Sequence, residues 1–255
     1  MLQKLKKHQF LFEELVKRDF KRKYKRTALG MLWSLLSPLL TFLVMKLVFT
    51  QFFGRNTPHY TIYLLAGNII YSFFQESTSA GMQSLVSNSY IFSKINVPKY
   101  IFILSKNVQT LINFLLTLVV FFCFCIGDKI VFTWKMLLLV YPIVMLLLFN
   151  LGVGLILSAL YVFFKDIQYL WNVFTRLLMY LSAIFYTIDR YPVQIQQVFL
   201  LNPVYLCILY FRQVVIQGQV PSLLIHALSL LYSLLVCGIG VLMYQKNNHK
   251  FLYYL

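Results

Sequence analysis

Apolar runs of membrane-crossing length alternate along this chain with short polar clusters. From about Gly30 to Phe53 the sequence GMLWSLLSPLLTFLVMKLVFTQFF carries one charge, Lys46, and exceeds the about 20 residues that take a helix through about 30 Å of hydrocarbon. Pro38 is tolerated inside such a span, where it can kink the helix, and Trp33 stands where an interfacial anchor belongs. A second run, Tyr60 to about Ala80, turns polar through Gln75, Glu76, Ser77, Thr78 and Ser79, so the pattern predicts a return to the cytosolic side and a connection from Met82 to Lys99. Spans three and four follow at Tyr100 to Ile126 and about Met136 to Phe163, span five at Ile167 to Ile188 with Arg176 inside it, and span six at Pro221 to Tyr244. Between the last two lie apolar pieces at about Val193 to Leu201 and Val204 to Gln217, separated by Asn202-Pro203. Each is too short to cross and reads as re-entrant or interfacial.

The start of the chain is different. Residues 1–26 read as an amphipathic helix with Leu5, Phe12, Val16, Phe20 and Tyr24 near one face, and Lys17, Arg18, Lys21, Arg22, Lys23, Lys25 and Arg26 put seven cations in ten positions. Such a helix lies in the membrane interface with its cations toward anionic headgroups; the plainer alternative is a positive-inside signal with no other task. The predicted inner segments hold ten cations within residues 1–26 together with Lys94, Lys99, Lys165, Lys246 and Lys250, against Arg55, Lys129, Lys135, Arg190 and Arg212 outside. Fifteen against five predicts both termini inside. A long charged stretch with no small-residue cleavage site leads us to expect no removable signal peptide.

Composition removes other classes. Of the 255 residues 60% are hydrophobic and 12% charged, with mean hydropathy +0.74, against about 25% charged in an ordinary soluble domain. The net charge of +16 does not indicate nucleic acid, because the excess is concentrated in the first 26 residues and the rest is too apolar for a basic groove. Cys123, Cys125, Cys207 and Cys237 sit in apolar surroundings without metal or disulfide spacing, and His8, His59, His226 and His249 are scattered.

The residues Tyr24, Thr27, Leu29, Gly30, Trp33, Ser34, Pro38 and Leu39 after a cationic segment resemble the first span of ABC-2 type permeases that export polysaccharides, O antigens and teichoic acids. The likeness continues through Leu65-Ala66-Gly67, Phe73-Phe74-Gln75-Glu76, Ser87-Asn88, Val97-Pro98, Lys165-Asp166, Ile184-Phe185-Tyr186 and Leu201-Asn202-Pro203, and so covers most of the chain. The resemblance implies an all-α polytopic membrane protein with six transmembrane helices, an N-terminal amphipathic interfacial helix, and two short re-entrant helices on the outer side between spans five and six. The whole chain is then one permease domain: residues 1–29 the inner-face helix, 30–244 the bundle, and 245–255 a cytosolic tail.

The sequence contains no G-x-x-x-x-G-K-[ST] loop to hold a nucleotide phosphate. ATP and Mg are expected on a separate ATPase subunit, two copies of which the family would place under a permease homodimer. The substrate implied is a polyprenyl-diphosphate-linked polysaccharide or teichoic acid in a bacterial cytoplasmic membrane. A permease for drugs or small amphiphiles is the nearest alternative. A polytopic glycosyltransferase or intramembrane protease would need paired acids, an activated serine or metal ligands, and the seven acids and missing H-E-x-x-H and G-x-S-x-G motifs argue against one.

Polar residues inside spans are the candidate site, since they are costly there. Glu76, Arg176, Asn107, Asn113 and Phe42 are assigned to the substrate path. Lys46 is the weaker choice, placed to snorkel. Asn107, Thr110, Asn113 and Thr117 recur at helical spacing and serve either as glue between helices or as a sugar-contacting wall. The ATPase coupling element is predicted between spans two and three, with Leu85, Ile91 and Ile95 available to dock, Asn88 and Lys94 polar, and Pro98 forcing a break. Asn202 and Pro203 supply the turn of the predicted exit gate.

Overall fold

The computed structural model describes residues 8–24, 29–53, 58–95, 97–189 and 191–254, and among them every regular element is helical. Of the sequence features above, Leu5, Lys25, Arg26, Thr27, Arg55 and Arg190 lie outside the described residues. The order is α1 Gln9–Tyr24, a 3-10 turn Gly30–Leu32 leading into α2 Trp33–Phe53, α3 Tyr60–Ser87, the short α4 Ser89–Lys94, and α5 Tyr100–Gly127. A 3-10 turn Trp134–Leu139 opens α6 Val140–Phe163, followed by α7 Ile167–Leu181, α8 Val193–Phe199, α9 Pro203–Val215, α10 Leu223–Asn247 and α11 Phe251–Tyr254.

Helices α3 and α6 form the centre, with α5 against α3 and α10 against α6. Glycines set these contacts, because without a hydrophobic drive between helices in lipid, close backbone approach supplies the packing. A Cβ on Gly152 of α6 would stand 2.6 Å from the Cys237 nitrogen of α10, and one on Gly240 would stand 2.5 Å from the Gly152 carbonyl. On the other side of α6, a Cβ on Gly81 of α3 would come within 3.0 Å of the Gly154 Cα.

Helix α3 runs seven residues past the predicted end at Ala80. Of the polar residues that suggested an exit from the membrane, Ser77 and Thr78 are buried and bonded within the bundle, while Gln75 and Glu76 are exposed. Ser77 donates to Asn107 Oδ1 of α5 at 2.9 Å, Thr78 to the Phe74 carbonyl at 2.8 Å, and Ser84 to the Gly81 carbonyl at 2.6 Å. Hydroxyls bonded back to the preceding turn are satisfied without water.

Among the described residues four helices are long and apolar enough to cross a membrane, Trp33–Thr50, Tyr100–Gly127, Trp134–Phe163 and Leu223–Asn247, or five if the bent pair α8–α9 counts as one. The expected six are not reached on that measure. Helix α3 has the length, 28 residues, but its second half is polar. Helix α7 has 15 residues, about 22 Å of rise, and stops at Leu181, well before the predicted Ile188.

Candidate functional site

A polar cleft of about 490 Å³ opens between α2, α3 and α5. Each helix contributes a stripe at helical spacing: Ser34, Ser37 and Thr41 from α2, Asn68, Ser72 and Glu76 from α3, Asn113 and Thr117 from α5. Asn113 donates to Glu76 Oε1 at 3.1 Å, and Trp33 and Phe42 add aromatic faces to the wall. Phe42 is buried and packs edge-on to Phe124 at 5.8 Å. Hydroxyls, amides, a carboxylate and ring faces in an apolar bundle offer hydrogen bonds and stacking to a polyhydroxylated ligand.

At the opposite end of α3 from the cap at His59, α4 and α1 form a second feature. Asp19 of α1 is 5% exposed, accepts from Arg18 at 2.8 Å and lies 2.9 Å from Lys106 Nζ of α5. Arg18 also donates to Asn88 Oδ1 at 2.8 Å, and Asn88 donates to the Ser84 carbonyl at 2.8 Å, so the corner between α3 and α4 is tied to α1. Leu15, Phe92, Val97, Ile101 and Phe102 close an apolar cluster beneath it. Lys99 donates to the Asn248 carbonyl at 2.8 Å beside the rings of Phe92 and Phe251, and burial pushes its ammonium below its ordinary pKa.

The third feature is the break after α7. Arg212 of α9, 4% exposed, donates to the carbonyls of Tyr63, Ala183 and Ile184 at 3.2, 3.0 and 3.1 Å, with its guanidinium 3.3 Å from the Tyr63 ring centre. The next carbonyls, Phe185 and Tyr186, accept from the hydroxyls of Tyr60 and Tyr63 at 2.7 and 2.8 Å. Four consecutive carbonyls are thus taken by side chains of α3 and α9, and the chain passes through a left-handed residue, Ala183 at φ 47°. Asn202 completes the arrangement: its Oδ1 accepts from the Val204 and Tyr205 amides that open α9, while its Nδ2 donates to Ser182 Oγ at 2.9 Å. The α8–α9 pair bends by 106° around it.

A family model for the ABC-2 type transporter matches residues 11–216, which takes in the cleft, the Arg18–Asp19–Asn88–Lys106 group and the break after α7. The chain belongs to the ABC-2 type transporter family. It is 27% identical over 251 residues to an O-antigen export system permease of Klebsiella pneumoniae, covering 95% of each chain. A permease of the same description from Myxococcus xanthus is 27% identical over 191 residues, 74% of this chain and 73% of that one. The polysialic acid transport protein KpsM of Escherichia coli is 23% identical over 252 residues, 94% of each. As an ABC-2 permease the chain is a transport component and not a catalytic one.

Within this ABC-2 permease the predicted path residues separate. Phe42, Glu76 and Asn113 meet in the cleft; Asn107 does not, being 2% exposed and spent on Ser77 and the Ile103 carbonyl. The polar stripe of α5 therefore divides, Asn107 and Thr110 packing helices while Asn113 and Thr117 line the cleft. Arg176 lies on the exposed surface of α7 and lines neither this cleft nor the apolar cavity beside α7. Among the predicted coupling residues, Leu85 is fully buried with Ile103, Leu155 and Phe251, because the longer α3 turns it inward; it packs the bundle and is not available to dock. Ile91 packs toward α1, Asn88 is 3% exposed, and Pro98 is half-buried. The outward face carries Tyr90, Lys94 and Ile95, with Lys94 Nζ 4.0 Å from the Tyr90 ring centre.

The sequence reading missed Asp19, Lys106, Tyr60, Tyr63 and Arg212. Arg212 entered only as an outer cation, although its apolar setting is the signal of a buried one. Asp19 was visible as the lone acid within the cationic block of residues 17–26.

Proposed function

We propose that this chain is the membrane-spanning subunit of an exporter that moves a polyprenyl-diphosphate-linked polysaccharide or teichoic acid out of a bacterial cytoplasm. In this reading it crosses six times with both termini cytosolic, works as a homodimer, and is driven by two copies of a separate ATPase that holds ATP and Mg. The observation that carries the reading is the cleft walled by Ser37, Thr41, Ser72, Glu76, Asn113 and Phe42, chemistry suited to sugar hydroxyls and costly in a bundle without use for it. Similarity to an O-antigen export permease and to a polysialic acid transport protein supports a glycan cargo over a small amphiphile.

The coupling role passes to the exposed side of α4, Tyr90, Lys94 and Ile95, with Asn88 and the Arg18–Asp19–Lys106 group holding that helix to α1 and α5. Asn202 and Pro203 remain the turn of the exit gate, Pro203 in the first helical position of α9 where its missing N–H costs nothing.

The cleft is tested by Asn113→Leu combined with Thr117→Val. The pair removes two polar groups from the wall, and loss of hydrogen bonds worth about 1 kcal/mol each predicts export reduced roughly tenfold or more at normal membrane levels. Surface polymer at the parent level in cells carrying only this variant would remove the cleft from the transport path.

A further inference from the structure

Beyond Asn247 the chain turns back on itself. The Lys250 amide donates to the Asn247 carbonyl at 2.9 Å and the Tyr244 hydroxyl to Asn248 Oδ1 at 3.2 Å, so α11 returns against the end of the bundle where α10 finishes. A segment predicted as a cytosolic tail thereby delivers a core side chain. Phe251 is 0% exposed and sits with Leu85 of α3, its ring 6.0 Å from that of Phe163 of α6 and 5.7 Å from that of Tyr244 of α10. Lys99, just ahead of α5, joins this seat to α4. It donates to the Asn248 carbonyl at 2.8 Å and stands 5.7 Å from the ring centres of both Phe251 and Phe92; among the described residues no acid pairs with it. Phe92 is the one buried residue of the six in α4, and its ring also meets Phe102 at 5.7 Å.

A helix of six residues is not stable alone and takes its place from what it packs on. A buried ammonium without a counter-ion is tolerated while a carbonyl and ring faces replace its water. If α11 leaves, Lys99 loses that carbonyl and one of its two rings, and its ammonium is drawn to water and away from Phe92. Seating of the tail and seating of α4 are therefore linked, each strengthening the other by the same factor. We propose that residues 248–254 are a strap that positions α4, with Phe251 as its anchor and Lys99 as the joint between them. The inference rests on the reading of α4 as the coupling helix for what the strap is for, and not for whether the strap holds α4.

In purified full-length protein in lipid nanodiscs, without the four native cysteines, spin labels at Ser93 and Asp166 report the position of α4, and labels at Gln83 of α3 and Asp166 are the reference. All three positions are exposed. Phe251→Ala is expected to widen the Ser93–Asp166 distance distribution roughly twofold and to leave Gln83–Asp166 unchanged. Lys99→Met, which keeps the apolar body and removes the charge and the hydrogen bond, should do the same, and Phe251→Leu should restore the narrow distribution. Equal widening of both pairs, or no widening of Ser93–Asp166 in either variant, overturns the proposal. The second arm uses membrane vesicles that carry the chain and its ATPase partner. There Lys99→Met, at the parent protein level and with the ATPase still retained, should raise the ATP hydrolysed per polymer moved about fivefold. A raised ratio with the parent's distance distribution overturns the strap. A ratio at the parent's value together with a widened α4 distance shows that the strap holds α4 and overturns instead the reading of α4 as the coupling helix.

Discussion

Gly152→Val is expected to abolish accumulation of the folded protein, while Gly238→Ala on the facing helix leaves it intact. The crossing of α6 and α10 is made backbone to backbone: a Cβ at 152 would meet the Cys237 nitrogen at 2.6 Å, the Cys237 Cα at 2.7 Å and the Val236 carbonyl carbon at 2.7 Å. None of these is the end of a flexible side chain, so the helices must separate. In a bilayer that separation surrenders dispersion contacts along the whole interface with no compensating hydrophobic gain, a loss of about 3 kcal/mol or more. Gly238 has no heavy atom within 4 Å of such a Cβ, so a methyl group there meets no neighbour. Equal yields of the two variants from a fluorescence-detected size-exclusion assay would show that the α6–α10 contact is not set by these glycines.

Arg212→Met has the second largest expected effect. The substitution keeps most of the buried volume and removes the donors held by the carbonyls of Tyr63, Ala183 and Ile184. Each such bond from a charged donor contributes about 1.5–3 kcal/mol, and the stranded carbonyls add a desolvation cost, so a loss of about 5 kcal/mol or more is expected. Arg212→Lys should recover only part of it, because a single ammonium cannot span three acceptors as the planar fork does. Tyr63→Phe deletes the one bond to the Tyr186 carbonyl and should cost about 1 kcal/mol. Thermal midpoints in the order parent, Tyr63→Phe, Arg212→Lys, Arg212→Met are the predicted ranking; a midpoint for Arg212→Met equal to the parent's would mean the break after Leu181 is held by something else.

What could be read in the sequence followed from how local the responsible physics is. The first span, the third and the sixth were legible from apolar length, and Asn202-Pro203 as the turn between two short apolar pieces; that Asn202 caps α9, its Oδ1 accepting from the Val204 amide at 3.0 Å, is what the structure adds. The end of α3 was not, since Ser77 looks the same in a sequence whether it faces water or Asn107 thirty positions away. Nor was the early stop of α7, which depends on Arg212 and two tyrosines of α3 reaching its carbonyls across the fold. For the site, the composition of the α5 stripe was legible and its division was not: Asn107 and Asn113 differ only in which neighbour each meets. Leu85 and Ile91 likewise appeared equally able to dock until the length of α3 turned Leu85 into the core.

The central claim is ATP-driven movement of a lipid-linked glycan through this permease. The most direct measurement is uptake of a labelled lipid-linked polymer into inverted membrane vesicles that contain the chain and its ATPase partner. The account predicts uptake that requires ATP hydrolysis, and loss of both uptake and ATPase retention when Tyr90→Ala is combined with Ile95→Asp on the exposed side of α4. Uptake that proceeds without ATP, or uptake and ATPase retention unchanged by that pair of substitutions, would contradict it.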